Sequence, residues 1–304
     1  MDIAEMLASA LRMMMPVLIT ALGAIYSERS GVTNIGLEGM MLTGAFWAAY
    51  GALHYGVLGG VGMGILMAML MALIHALVTV TYRVDQIVSG VAINILAYGL
   101  SRFFSLELFG MATTSPHVES MPKINIPILQ DIAFIKPLVT DLSPIIIVGI
   151  LLVFVTYWIL EKTTFGLRLK SVGENPLAAD TLGIKVLHYR YYGVVISGAF
   201  AGLAGAYLAI EHTGMYVEGM TQGKGYIALA AMIFGNWNPI GALGAACLFG
   251  FAESLSLRVM QNKIIPYQFI KMLPYLLTLF VLAGVVRKSQ PPAAVGVPYS
   301  REDK

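Results

Sequence analysis

Charge is scarce in this sequence. Asp, Glu, Lys and Arg together make up 12% of its 304 residues, about half the share of an ordinary soluble domain. That excludes a conventional soluble fold. Cysteine is nearly missing as well: Cys247 stands alone, so no intrachain disulfide and no thiolate metal cluster can form. No basic stripe interleaved with aromatics marks a nucleic-acid interface. There is no GxxxxGK[ST] phosphate loop, so the chain has no such motif for binding a nucleoside triphosphate. An intramembrane enzyme finds no support either, because GxSxG, a metal motif and a close aspartate pair within the apolar runs are all lacking. His54, His75, His117, His188 and His212 show no ligand spacing such as HExxH. Neither a metal nor a cofactor is expected. The start, Met1-Asp2-Ile3-Ala4-Glu5-Met6, is acidic and lacks the basic stretch of a cleavable signal peptide, so the first apolar run reads as a retained span.

What is present is apolar. Hydrophobic residues reach 58% of the chain and the mean hydropathy is +0.77. Several runs attain the roughly 20 apolar residues that cross a bilayer core. The runs at 7–26, 35–52, 57–81, 86–109, 142–160, 190–211, 223–236, 239–259 and 267–286 predict an all-α polytopic membrane protein with about eight to ten spans. Residues 112–141 form a Pro-rich polar connection, and residues 161–189 a charged one. Residues 1–286 read as one transmembrane domain and residues 287–304, with three prolines and Arg287, Lys288, Arg301 and Lys304, as a disordered cytoplasmic tail. Eighteen methionines, such as Met63, Met67 and Met71, read as packing filler rather than metal ligands.

Positive charge orients the chain. Placing the 161–189 loop inside, with Lys162, Arg168, Lys170, Lys185 and the adjacent Arg190, also puts Arg29, Arg83 and the four tail charges there. Only Lys123, Lys136 and Lys263 then fall in outer loops. Nine spans place the N-terminus outside. Eight, with either 35–52 or 223–236 dipping in and returning, place it inside. A weak repeat at an offset of 182 aligns Gly59 with Gly241 and Gln86 with Gln268, and under nine spans the repeat is inverted, as in many transporters; chance matching is the rival explanation. In the sixth run, Gly193, Ser197, Ala201, Gly205 and Ala209 recur every four residues beside Gly198, Gly202 and Ala206. Small residues so spaced let helices approach closely in lipid, which makes a packing face.

Polar residues inside apolar surroundings carry the functional signal. Ser27-Glu28-Arg29-Ser30-Gly31-Val32-Thr33-Asn34-Ile35-Gly36-Leu37-Glu38-Gly39 lies between two apolar runs, and its glycines permit a broken helix. Broken helices occur at membrane depth where they are buried or line a wet cavity. A carboxylate facing lipid would cost about 3 kcal/mol, so Glu38 is expected to face protein with a cation or hydrogen-bond donor. Glu38 and Asn34 either brace the break or line a substrate path, and Asn94 either bonds between helices or lines the path. Glu28 and Arg29 are expected at the cytoplasmic interface, and Glu253 and Arg258 paired or snorkelled near a span end. In the basic loop, Ser171-Val172-Gly173-Glu174-Asn175-Pro176-Leu177-Ala178-Ala179-Asp180-Thr181-Leu182-Gly183 predicts a short helix over about 176–182, with Asn175 as N-cap, Pro176 in the first turn and Gly183 at C′. Such a helix either docks into a partner's groove or lies at the interface.

Gly173-Glu174-Asn175-Pro176, with Ala178, Ala179 and Gly183-Ile184, resembles the coupling loop of ABC importer permeases of the branched-chain amino acid, simple sugar and nucleoside branch. Glu28-Arg29-Ser30-Gly31 followed by Asn34-Ile35-Gly36-Leu37-Glu38-Gly39-Met40-Met41 is most similar to the nucleoside (guanosine-type) permeases, as is Asn238-Pro239-Ile240-Gly241-Ala242. Sugar permeases of the branch tend to have Asp-Leu-Ser near the first of these positions. The likeness covers about 15–287. It implies a multi-pass permease subunit of the prokaryotic inner membrane, non-catalytic itself, that works with an ABC ATPase, a second like or unlike permease, and an extracytoplasmic substrate-binding lipoprotein. On that reading Gly173, Glu174, Asn175, Pro176, Ala178, Ala179 and Gly183 couple to the ATPase, and nucleosides or a related small polar solute such as a simple sugar pass through. The alternative is a self-sufficient secondary transporter, proton-coupled through Glu38, which leaves the capped loop helix without a purpose.

Overall fold

A computed structural model describes residues 3–125, 136–261, 269, 272, 276 and 289–300. Its helices are α1 (Ile3–Arg29), α2 (Leu37–Ala76), α3 (Gln86–Phe109), α4 (Lys136–Val139), α5 (Pro144–Lys162), α6 (Thr164–Glu174), α7 (Pro176–Thr181), α8 (Val186–Ala206), α9 (Lys224–Phe234) and α10 (Pro239–Gln261), with π-helical turns at Leu77–Thr81 and Tyr207–Thr213. Among the described residues six helices are long and apolar enough to cross a membrane. The run expected at 267–286 and Gln268 of the repeat lie outside the described residues.

The 35–52 and 57–81 runs form two helical arms of α2 that meet at Gly56, where the backbone leaves the helical conformation and the chain doubles back. Gly56 takes φ +75° in open space, a conformation that glycine adopts without a Cβ penalty. The two halves of α2 then lie against each other so closely that a Cβ on Gly60 would stand 2.6 Å from the Ala48 carbonyl, and one on Gly64 2.6 Å from that of Gly44. The small residues of α8 do what their spacing predicts. A Cβ on Gly205 would meet the Met41 carbonyl at 2.1 Å, and one on Gly198 the Ala72 Cβ at 2.4 Å. Lipid supplies no hydrophobic drive between helices, so contact of this closeness holds the α1, α2 and α8 core together.

Two faces are defined by what meets there. Ser254 near the end of α10 donates to the Met6 carbonyl at 3.1 Å, and Arg258 faces Glu5 at 3.9 Å. At the other end of α1, Arg29 faces Glu174 of the basic loop at 3.9 Å. The N-terminus and the basic loop therefore lie on opposite faces. With the basic loop placed inside by its charge, α1 starts on the outer face. α8 runs antiparallel to α1: the hydroxyl of Tyr207, just past its end, donates to the Arg12 carbonyl at 3.1 Å, and Gly193 abuts Tyr26 and Ser30.

Of the pairs aligned at an offset of 182, Gly59 lies in the second arm of α2 and Gly241 in the first turn of α10, while α8 crosses in the direction opposite to α1.

The expectation of a disordered tail is corrected at 289–300. Pro292, Ala294, Tyr299 and Ser300 are buried against the inner face. The physical reason is local. Backbone amides of the tail find carbonyls at helix ends, Tyr299 fills an apolar hollow with Val172, Ala179 and Val186, and prolines reduce the entropy that ordering removes.

Candidate functional site: a polar junction at membrane depth

Two non-helical segments enter the membrane region from opposite faces and meet on α3. From the inside, the Thr33 amide donates to Gln86 Oε1 at 2.6 Å, and the Gly39 amide donates to Asn94 Oδ1 at 2.7 Å. Gln86 and Asn94 are eight residues apart, so the chain climbs about 12 Å along α3 before α2 is established. From the outside, Thr114 pairs with Val217, Arg102 lies 3.5 Å from Glu218, and a Cβ on Gly219 would touch the Tyr98 hydroxyl at 2.2 Å. Next inward, Asn94 Nδ2 donates to the Tyr226 hydroxyl at 2.9 Å. Residues 102, 98 and 94 step one helical turn at a time down one face of α3. Asn94 is the point where the two segments join.

Glu38 fastens them. Its Oε1 accepts from the Gly223 amide at 2.8 Å and its Oε2 from the Gly225 amide at 2.7 Å. These amides open α9, whose first N–H groups have no helical partner, and a carboxylate at a helix N-terminus also meets the positive end of the dipole. The expected cation partner is absent among the described residues, and the expected donors are two backbone amides. Gly225 is needed for this approach, since a Cβ there would stand 2.6 Å from Glu38 Cα.

Asn34 lies behind the junction rather than on it. It is fully buried, and Nδ2 donates to Ser197 Oγ of α8 at 2.8 Å. His75, also buried, bridges Ser89 Oγ at 2.9 Å and the Thr33 carbonyl at 3.3 Å. The break is thus tied to α2, α3 and α8. Asn94, Tyr98 and Tyr226 differ in facing outward: both tyrosine side chains are 47% exposed on a surface that no described residue covers.

The inner face holds the basic-loop residues. Thr163 Oγ1 accepts from the Gly166 amide at 3.2 Å and caps α6, a helix inside the stretch expected to be a charged connection. Asn175 Oδ1 accepts from the Ala178 amide at 3.0 Å, Pro176 opens α7, and Gly183 takes φ +81° just past its end. Ala179 is buried beneath α7. Gly173 packs directly on the inner end of α1: a Cβ would stand 2.3 Å from the Arg29 carbonyl and 3.2 Å from the Gly31 amide. The loop therefore rests directly on the start of the α1–α2 break. Glu28, expected at the interface, is at the inner end of α1 but buried, where Oε2 accepts from the Trp237 indole N–H at 2.7 Å. Arg29 donates to the Trp237 carbonyl at 3.3 Å, so both hold the α9–α10 turn. Asn238 Oδ1 caps α10 by accepting from the Ile240 amide at 2.9 Å. Glu253 accepts from Lys224 Nζ at 2.6 Å.

The model of a family described as branched-chain amino acid transport system permease component matches residues 6–282. The chain is 45% identical to the guanosine ABC transporter permease protein NupQ of Bacillus subtilis (strain 168), over 93% of this chain and 92% of that one. It is 39% identical to the nucleoside ABC transporter permease protein NupC of Lactococcus lactis subsp. cremoris (strain MG1363), over 93% of each. It is 32% identical to the putative glucose ABC transporter permease protein TsgC13 of Haloferax volcanii, over 94% of each. No solved structure matches the chain.

Proposed function

This chain belongs to the family of branched-chain amino acid transport permease components, and from that premise we propose that it is the nucleoside-conducting membrane subunit of an ATP-driven importer. It is a multi-pass protein of the cytoplasmic membrane. The ATP is hydrolysed by a separate ATPase on the inner face, the solute is delivered by an outer binding protein, and a second permease completes the path.

The observation that carries this reading is the outward face of the junction. Asn94 and Tyr226 are polar groups at membrane depth, and polar groups there face protein or water rather than lipid. A second permease opposite α3 and α9 would enclose a passage lined by Tyr98 and Tyr226. Aromatic faces stack on nucleobases, and Tyr226, whose hydroxyl accepts from Asn94, can donate its own proton to a passing solute. Asn34 and Glu38 brace this lining. NupQ, named for guanosine, and NupC, named for nucleosides, share more identity with the chain than TsgC13, named for glucose, which favours nucleosides over sugars. The secondary-carrier alternative gains nothing here, because both Glu38 oxygens are occupied by backbone amides.

Coupling follows the same geometry. A push on α7 reaches Gly173, then Arg29 and Gly31, then the break, then Glu38 and α9. Gly173, Glu174, Asn175, Pro176, Ala178, Ala179 and Gly183 form the ATPase-facing end of that line. The test is uptake of labelled guanosine by the complex reconstituted with its ATPase and binding protein. Unlabelled nucleosides should compete at equal concentration, while ribose, glucose and leucine should not compete at a hundredfold excess. Equal competition by ribose or glucose would contradict the nucleoside assignment.

A further inference from the structure

The chain's last described segment reaches every part of the inner-face machinery. The Gln290 amide donates to Asn236 Oδ1 of the α9–α10 turn at 2.9 Å. The Ala293 amide donates to Glu174 Oε2 at 3.3 Å, and the Ala294 amide to the Gly173 carbonyl at 2.9 Å. The Gly296 amide donates to the Gly31 carbonyl at 3.3 Å. The Val297 carbonyl accepts from Arg190 Nη1 at the base of α8 at 2.8 Å. Tyr299 lies under the Arg190 guanidinium, 5.9 Å from ring centroid to charge, and packs with Val172 of α6, Ala179 of α7 and Val186 of α8.

These contacts are not those of a loose end. The Gly173 carbonyl belongs to the last turn of α6, where carbonyls lack helical partners, and the strap amide supplies one. Arg190 is 1% exposed, and a buried cation needs acceptors or a π face close by; the strap provides both. Tyr299 forms the floor on which α7 rests. None of these contacts reaches the α1, α2 and α8 core at membrane depth.

We propose that residues 289–300 are a strap that positions α7 and the Gly173 contact over the α1–α2 break, so that the tail is part of the force-transmitting unit. The proposal rests on α7 being the ATPase-coupling element. Gly173 and Gly31, which face each other across the transmission step, are each bonded to the strap, at Ala294 and Gly296. Without it the two surfaces still meet, but nothing holds them in register when the ATPase pushes. Loss of the strap therefore separates ATP hydrolysis from solute arrival more than it weakens assembly.

The experiment compares four full complexes: wild type, a chain ending after residue 288, Tyr299→Ala and Tyr299→Phe. Each is assayed for co-purification of the ATPase, and for ATP hydrolysis with and without the guanosine-loaded binding protein. The truncated chain should keep its ATPase and lose at least fivefold in the ratio of stimulated to basal hydrolysis. Tyr299→Ala should lose about threefold, and Tyr299→Phe, which keeps the ring, should stay near wild type. Should the truncated chain fail to reach the membrane, the Ala and Phe pair decides. A stimulation ratio within twofold of wild type in the truncated or Ala variant overturns the strap. An Asn175→Ala control, which removes only the α7 cap, separates the two ideas. A normal ratio in that control, or an unstimulated wild type, sinks the coupling reading and the strap with it, whereas a low control with a normal truncation sinks the strap alone.

Discussion

Glu38→Leu should lower nucleoside uptake at least tenfold at equal membrane abundance, while Glu38→Gln should lose only a few-fold. The carboxylate accepts two amides at the opening of α9, and hydrogen bonds to a charged group contribute about 1.5–3 kcal/mol each. Leucine fills a similar volume but leaves both half-buried donors without the charged acceptor that fixes the start of α9. Glutamine keeps one acceptor oxygen and turns an amide NH₂ toward the other donor, so it retains about half of the anchor. The junction should open on its α9 side, moving Tyr226 away from Asn94. Uptake in right-side-out vesicles, normalised to permease content, measures this. Leucine within twofold of wild type would show that α9 is held by something other than Glu38.

Gly173→Val should have a comparable effect for a different reason. The added Cβ would stand 2.3 Å from the Arg29 carbonyl and 2.9 Å from its carbon. Both are backbone atoms at the end of a long helix and cannot swing aside as a flexible side chain does. The α6–α7 unit must lift off the break instead. The spans and their basic flanks are untouched, so insertion should be normal, and the outer surface of α7 still offers itself to the ATPase. Basal ATP hydrolysis should persist within twofold, while uptake and stimulated hydrolysis should fall at least tenfold. Parallel loss of ATPase binding would mean that Gly173 serves assembly rather than transmission.

Much of this architecture can be read from residues in order. The α3 boundaries, Gln86 and Phe109, coincide with the ends of an apolar run, because the bilayer imposes length and polarity on any span. The four-residue spacing of Gly193, Ser197, Ala201 and Gly205 shows its packing function without coordinates. So do the caps of α7, since Asn, Pro and Gly act through local backbone geometry. The site itself is less legible. Glu38 signals that it needs donors, but its donors are backbone amides 185 and 187 residues away, which carry no side-chain signature. The tail misled for a related reason: prolines and charges usually mean disorder, and the contacts that order it run through backbone amides and a single tyrosine. α6 has little signature in the sequence because its Thr163 cap is followed by a weakly apolar, charged stretch.

The central claim is that motion at the inner loop reaches α9 through Gly173, the break and Glu38. Spin labels at Tyr226 on α9 and Glu107 near the outer end of α3, in a Cys247→Ala background, report that motion by pulsed electron paramagnetic resonance. Trapping the complex with ATP should shift the distance distribution in the otherwise wild-type chain, and Gly173→Val should abolish the shift while ATPase binding persists. A shift that survives Gly173→Val unchanged, or no shift in the wild-type chain, would contradict the account.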